Sequence, residues 1–249
     1  GVHFMAETAK ILNPTKKVLL PDLAAGCSLA DACSPFEFEK FIRNNKNHTV
    51  ITYVNCSAEI KAMSDIVCTS SNAEKIINSL PKNESIIFAP DKNLGQYINS
   101  KTGRKMKLWD GACIVHEAFS IEKLTKLMLE YPTARIIAHP ESEKHILDTA
   151  FFIGSTAQMI QHVQKNPNEI YIVATEAGIL HKMQEASPRT TLIPAPSLED
   201  NTCACSECAF MKINTLEKLR DCLLHESPEI VVPFEIITKA LVPIKRMLE

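Results

Sequence analysis

Three thiols are placed where they could do chemistry. The stretch "WDGACIVHEAFS", residues 109 to 120, holds the single Trp of the chain, then a Gly-Ala-Cys turn, then His116 and Glu117. No other cysteine lies within 40 residues of Cys113 on either side, so it is not half of a local CxxC clip. Cys27 follows "VLLPD", and "CACSEC" brings Cys203, Cys205 and Cys208 together. The remaining four, Cys33, Cys56, Cys68 and Cys222, have apolar neighbours and read as small core hydrophobes. Nine cysteines are too few for a disulfide scaffold in 249 residues, and their number is odd. Thiols that stay reduced more often serve a metal or catalysis than a bridge.

The elements that must position these thiols alternate along the chain. "VLLPD" (18–22), "TVITYV" (49–54), "DIVCTS" (65–70), "SIIFAPD" (85–91), "RIIAHP" (135–140), "AFFIGS" (150–155) and "IYIVATE" (170–176) read as buried strands. "NAEKIINSL", "SEKHILDT", "TAQMIQHVQ" and "GILHKMQEA" read as helices between them. Such alternation predicts parallel sheets covered by helices. A gapless shift of 85 residues superimposes part of the pattern, with Ile51 on Ile136, Ser70 on Ser155 and Ile87 on Ile172. "ETAKILNPTKKVLLPD" reads as an earlier partial copy of "AEKIINSLPKNESIIFAPD". Each of the three copies is then followed by one thiol: Cys27, Cys113 and Cys208, at intervals of 86 (113 − 27) and 95 (208 − 113) residues. Cys203 and Cys205 are alternatives to Cys208. Three similar domains about a pseudo-threefold axis would bring three equivalent thiols to its centre.

Three thiolates are one short of the set that closes a structural zinc or a full iron–sulfur cluster. A [4Fe–4S] cluster on three cysteines leaves one iron open, a Lewis acid for a hydroxyl or carbonyl. Structural zinc and thiol redox chemistry are the competing readings of "CACSEC".

Ligands of open α/β sheets bind beyond the carboxyl ends of the strands. Tyr53, Val54 and Asn55 occupy one such end, and His139, Pro140 and Glu141 another. "TSSNAE" and "GSTAQ" occupy the next pair. Ser71 with Glu74, and Ser155 with Gln158, have the spacing of capping boxes. A helix N-terminus also binds carboxylate or phosphate, so capping and anion binding are compatible there. His116 is a further candidate, as a donor to a metal group or a substrate.

Composition narrows the classes. The net charge of −2 offers no basic field for nucleic acid or an anionic membrane. No apolar run reaches the roughly 18 residues of a membrane span, and no signal peptide is visible. A cytoplasmic protein is the expectation. The opening "GVHFMAETAKIL" reads as the interior of a domain, so a preceding segment is expected.

Taken in order, "PDLAAGCSLADAC", "YVNCSAEIKAMSDIVCTSSNA", "APDKNLGQYI", "GACIVHE", "HPES", "GSTAQMI", "IVATEAGILHKM" and "KALVPIKRMLE" resemble the quinolinate synthases, from Val2 to Leu248. The resemblance implies three Rossmann-like three-layer αβα domains in a pseudo-threefold arrangement. In this chain they would be residues 1–30 (the remnant of a truncated first domain), 31–115 and 116–215, with C-terminal helices at 216–249 packing back on the first. It implies a [4Fe–4S] cluster on Cys27, Cys113 and Cys208. The implied reaction joins iminosuccinate to dihydroxyacetone phosphate, loses phosphate and two waters, and forms quinolinate for NAD synthesis. An aspartate-oxidising enzyme would supply the first substrate. Implied substrate residues are Tyr53, Val54, Asn55, Ser70, His139, Pro140, Glu141 and Thr156, with Tyr53, His139 and Glu141 as candidates for proton transfer. There are two departures. The family begins with a half-domain carrying a His, a Tyr and a Ser of the active site, and some members have CxxCxxC where this chain has CxCxxC. The alternatives are a zinc-stapled α/β binding module and another cluster-dependent hydroxy-acid dehydratase.

Overall fold

The computed structural model describes residues 1–198 and 206–249. Cys203 and Cys205 lie outside them. The chain divides into two compact units, Gly1–Ala112 with Ala209–Glu249, and Cys113–Cys208.

The first unit runs α1 (His3–Leu12), α2 (Ser28–Asp31), α3 (Pro35–Arg43), β1 (Thr49–Tyr53), α4 (Ala58–Ala62), β2 (Ile66–Cys68), α5 (Ala73–Ser79), β3 (Ile86–Ala89), α6 (Lys92–Thr102) and β4 (Lys107–Leu108). Its sheet is parallel, in the order β2-β1-β3-β4. Alternate residues of a strand face opposite ways, and here both faces are covered. Ile51, Tyr53 and Phe88 pack on one side with Ile77 of α5 and with Leu94 and Ile98 of α6. Val50, Ile87 and Ala89 pack on the other with Phe38 of α3 and Ile60 of α4. That is why "TVITY" and "IIFA" are nearly continuous apolar runs. Helix starts and stops follow local chemistry. Ser34 accepts the Glu37 N–H at 3.3 Å ahead of Pro35, Asp91 accepts the Leu94 N–H at 2.7 Å, and Gly103 ends α6 at φ 69°.

The second unit runs α7 (Ile114–Glu117), α8 (Ile121–Glu130), β5 (Arg135–Ala138), α9 (Lys144–Leu147), β6 (Phe152–Ile153), α10 (Thr156–Lys165), β7 (Ile170–Ala174), α11 (Ile179–Ala186) and β8 (Thr191–Pro194). Its sheet repeats the parallel order as β6-β5-β7-β8. Ile137, Tyr171 and Val173 pack against Met159 and Val163 of α10 and Met183 of α11. After Cys208 the chain returns to the first unit as α12 (Ala209–Lys212), α13 (Leu216–His225) and α14 (Phe234–Leu248). Ile237, Ala240 and Ile244 of α14 share a core with Ala6 and Ile11 of α1 and Ala58 of α4. No helix among the described residues is long and apolar enough to cross a membrane.

Strand register corrects the gapless repeat. Ile51 pairs with Ile66 and Ile137 with Phe152, the same offset of 15 residues (66 − 51, 152 − 137). Ile51 pairs with Phe88 but Ile137 with Val173, offsets of 37 (88 − 51) and 36 (173 − 137). The second unit is therefore one residue shorter ahead of its third strand. The shift is 86 (137 − 51) through the first two strands and 85 (173 − 88) at the third. A one-residue slip would turn every side chain to the opposite face; Ile51 and Ile137 both face the helices that follow the second and third strands, which fixes their equivalence where weak identity does not. On the shift of 86, Tyr53, Val54, Asn55 and Ser70 correspond to His139, Pro140, Glu141 and Thr156.

Two further readings change. Ser71 does not cap α5. Its N-cap is Asn72, whose side-chain oxygen turns back to accept the Thr69 N–H at 2.7 Å. "VLLPD" is not a strand: Leu19 forms a single antiparallel bridge to Glu229. Helix α1 matches α6 rather than α5, since the His3 and Lys92 N–H groups at their starts each bond, at 2.8 Å, the carbonyl two residues before a cysteine.

Candidate active site

Each of the three singled-out cysteines enters a helix of four residues. Cys27 is the N-cap of α2, Cys113 is the N-cap of α7, and Cys208 directly precedes α12. Each approach is anchored by the same backbone hydrogen bond. The carbonyl two residues before the cysteine accepts an N–H from the start of the preceding long helix or the turn leading into it. The pairs are His3 to Ala25, Lys92 to Gly111 and Ala177 to Ser206, and all three are 2.8 Å long. So α1 stands to Cys27 as α6 stands to Cys113. Gly111 is needed for this approach, since a Cβ there would come within 2.6 Å of the Pro90 carbonyl oxygen. Glu176 adds a hold on the third thiol, accepting the N–H of Cys208 at 3.3 Å and that of Gly178 at 2.8 Å. All three thiols are half-buried, whereas Cys33, Cys56, Cys68 and Cys222 are buried. Burial pushes the Cys33, Cys56 and Cys68 thiols up, away from the thiolate form a metal requires.

In the first unit, Tyr53 ends β1 and is buried, while Val54 and Asn55 are half-buried in the loop that follows. The Val54 N–H extends the pairing to the Cys68 carbonyl at 2.8 Å, and Cys56 N–H turns back on the Val54 carbonyl at 2.9 Å. Cys27 and Val54 both pack against the core cluster that holds Tyr53. Residues far apart in sequence thus meet at one end of this sheet. Ser70 is half-buried, between β2 and α5.

In the second unit, Cys113, His116 and Glu141 each offer one ligand atom, and these atoms all lie within 4.8 Å of one another. His116 reaches the cluster because it follows Cys113 by three residues, one turn along α7. Glu141 arrives from the turn after β5. Its carboxylate lies between two imidazoles, 3.3 Å from His116 Nδ1 and 3.6 Å from His139 Nδ1. The His116 contact is off the hydrogen-bonding direction, so buried Nδ1 has no hydrogen-bond partner among the described residues. His116 Nε2 lies 3.1 Å from the hydroxyl of Thr175, the residue after β7. The two imidazole rings are 5.1 Å apart. His139 Nδ1 accepts the Glu141 N–H at 3.4 Å, which leaves the ring proton on Nε2. Burial pushes the His139 pKa down to about 4, against the pull of Glu141 and with a smaller push from His116. The ring is therefore neutral at neutral pH. Pro140 is buried in the same turn.

Thr156 is the exposed first residue of α10, whose capping box belongs to Ser155 and Gln158 as the spacing predicts. Thr175 is a site residue that the sequence pattern does not single out. Its only signal was a hydroxyl beside an acid at the end of a buried strand. Chemically, the second unit offers a carboxylate, a neutral imidazole donor and a thiol at one sheet end. The first unit offers a phenol, an amide and a thiol at the equivalent end.

The sequence model of the quinolinate synthetase A protein family matches residues 1–249. Curated quinolinate synthases are similar over the whole chain. That of a Synechococcus strain is 58% identical over 248 residues, and those of Gloeothece citriformis and Microcystis aeruginosa are each 57% identical over 249. The chain spans 76 to 77% of the length of these relatives. With a family match along every residue and relatives more than half identical, the chain belongs to the quinolinate synthetase A family of enzymes.

Proposed function

We propose that this chain takes part in condensing iminosuccinate with dihydroxyacetone phosphate to quinolinate, with loss of phosphate and two waters, in NAD biosynthesis. Family membership supports the reaction, and one observation carries the site. Three half-buried cysteines recur behind the same 2.8 Å backbone anchor, each opening a four-residue helix. This donor set suits a [4Fe–4S] cluster on Cys27, Cys113 and Cys208, since thiolates are its usual ligands. When bound by three thiolates, such a cluster supplies an open iron as a Lewis acid.

The chain's own residues do the rest. Neutral His139 holds a proton on Nε2 that it can donate as charge develops on substrate oxygen. The Glu141 carboxylate beside it accepts a proton. Tyr53 offers a phenolic donor from the first unit. Val54 and Pro140 shape the floors of the two strand-end loops, and Asn55 supplies an amide to a substrate carboxylate. Ser70 and Thr156, at the starts of α5 and α10, offer hydroxyls near helix N–H groups, which favour carboxylate and phosphate. The same reading includes three αβα domains in pseudo-threefold arrangement, a cytoplasmic setting and an aspartate-oxidising enzyme as the source of iminosuccinate.

Iron, sulfide and quinolinate are the quantities to measure after anaerobic reconstitution with both substrates present. Cys27→Ser, Cys113→Ser and Cys208→Ser should each lose the brown chromophore, while Cys33→Ser and Cys222→Ser keep it. A colourless protein carrying zinc on the same cysteines would overturn the proposal in favour of a binding module. Bound cluster with a different dehydrated product would overturn the substrates alone.

A further inference from the structure

The three cysteine helices differ in what stands one turn after the cysteine. Three residues after the cysteine stand Ala30, His116 and Met211. Among the described residues, only Cys113 has an imidazole one turn away, and only there does a buried carboxylate close the group. We infer that Cys113, His116 and Glu141 form a site for a single divalent transition-metal ion, of the zinc class, in protein that carries no cluster.

Several independent features point to a metal. The three ligand atoms lie within 4.8 Å of one another, close enough for one ion to reach all of them at bond lengths of about 2.0–2.3 Å. His116 is 6% exposed, and its Nδ1 is buried among these atoms with no hydrogen-bond partner among the described residues. A buried ring nitrogen left in that state is costly, and a metal bond would satisfy it. The opposite nitrogen lies 3.1 Å from the Thr175 hydroxyl. An Nε2–H donated there fixes the tautomer that turns the Nδ1 lone pair toward the cluster, the usual support for a ligating histidine. One sulfur, one nitrogen and one carboxylate oxygen form a borderline-soft set of three, which leaves a fourth tetrahedral position open. That selects zinc, cobalt or cadmium over magnesium or calcium. On binding, the Cys113 thiol releases its proton to solvent.

This site lies wholly in the second unit and stands without the proposed reaction. Its consequence, that zinc and cluster compete for Cys113, rests on Cys113 being a cluster ligand.

The test is a titration of the cluster-free, reduced chain with Co²⁺, read by sulfur-to-cobalt charge transfer and tetrahedral d–d absorption, with Zn²⁺ as competitor. One equivalent should bind with both bands and be displaced by Zn²⁺. Cys113→Ser should abolish the charge-transfer band. His116→Asn and Glu141→Gln should each weaken binding at least about 10-fold, and Thr175→Val about 10-fold. Cys27→Ser, in the other unit, should leave the titration unchanged. Circular dichroism of each variant separates lost ligands from lost fold, and two independent ligand variants guard against either failing to fold. Binding that survives both His116→Asn and Glu141→Gln, or that disappears in folded Cys27→Ser, would overturn the inference in favour of an all-thiolate site. Preloading with Zn²⁺ should also halve iron uptake on reconstitution or reduce it further. Tight Co²⁺ binding with undiminished iron uptake would leave the metal site standing and overturn Cys113 as a cluster ligand.

Discussion

The two units carry the same four-stranded parallel sheet, in the same order, with the same register between their first two strands. They differ in what they place around it. In the first unit, the helix after β1 carries Lys61, which is fully buried. Its ammonium group donates to the Cys56 carbonyl, lies 5.5 Å from the Phe4 ring centroid and acts on buried Glu7. Glu7 in turn accepts the Ala58 N–H at 3.0 Å. In the second unit, the position equivalent to Lys61 is Leu147. The buried ionisable groups of that unit gather instead near the end of β5: Glu141, His139 and, from α7, His116. The duplication therefore teaches a division of labour. The first unit uses buried ionisable groups to tie α1 to the loop that carries Val54 and Asn55. The second gathers its buried carboxylate and imidazoles beyond the end of β5.

The strongest way to break this contrast is to give the first unit the residue of the second. Lys61→Leu removes the larger of two positive influences on buried Glu7, the other being His3, together with the donor to the Cys56 carbonyl, and should cost about 1–3 kcal/mol in denaturant unfolding. Burial already raises the Glu7 pKa, with Lys61 opposing it, so the variant should raise it further. Its deficit should then grow as pH rises through the pKa of folded Glu7. A double change, Glu7→Gln with Lys61→Met, should recover most of the loss. Equal stability of Lys61→Leu and the parent chain would show that the charge has no structural role.

For the second unit the contrast is sharpened by acid. Folding lowers the His139 pKa from 6.5 to about 4. The unfolded chain therefore takes up a proton first as pH falls. Stability tied to this neutral ring is fully present above pH 6.5 and is lost progressively toward about pH 4. The loss amounts to about 3 kcal/mol. His139→Asn should flatten that part of the pH–stability curve in the metal-free chain. A curve of unchanged slope would mean that the ring is not held neutral.

Thiol labelling compares the cysteines across both units. Cys56 and Cys68 react only when the fold opens, and should be alkylated at least about 100-fold more slowly than Cys27, Cys113 and Cys208. Mass spectrometry of timed iodoacetamide reactions reads this residue by residue. Similar rates for Cys68 and Cys208 would contradict the burial pattern.

The smallest expected difference lies at the paired helix starts. Ser155→Ala removes a complete capping box and should cost about 1 kcal/mol. Ser71→Ala, beside an N-cap that is Asn72, should cost less. Equal losses on thermal unfolding would restore the symmetrical capping that the spacing suggested.

Much of this was legible in the amino-acid sequence because it depends on local rules. Apolar runs bounded by turn residues located β1, β2, β3, β5, β6 and β7, since strands covered on both faces have no polar alternation to hide them. Edge strand β4 has only two residues, and edge strand β8 is exposed at both ends and closes on Pro194, so neither shows the apolar run of a buried strand. Ser155 with Gln158 was readable as a cap because both partners lie within one turn. Ser71 with Glu74 has the same spacing, and only a competing bond from Asn72 displaced it.

What the sequence determined by itself was composition, the order in which the buried strands of the two sheets appear, and the thiols Cys113 and Cys208 that follow them. Tertiary structure decided the rest, for reasons of pairing and reach. Register set the shift at 86 over the first two strands and so matched Tyr53, Val54 and Asn55 to His139, Pro140 and Glu141. Parallel pairing brought the ends of β5 and β7 side by side, which delivered Glu141 and Thr175 to His116. No local periodicity encodes a contact between residues 116, 141 and 175, because it exists only once non-neighbouring strands hydrogen-bond and the helix after Cys113 turns its histidine inward.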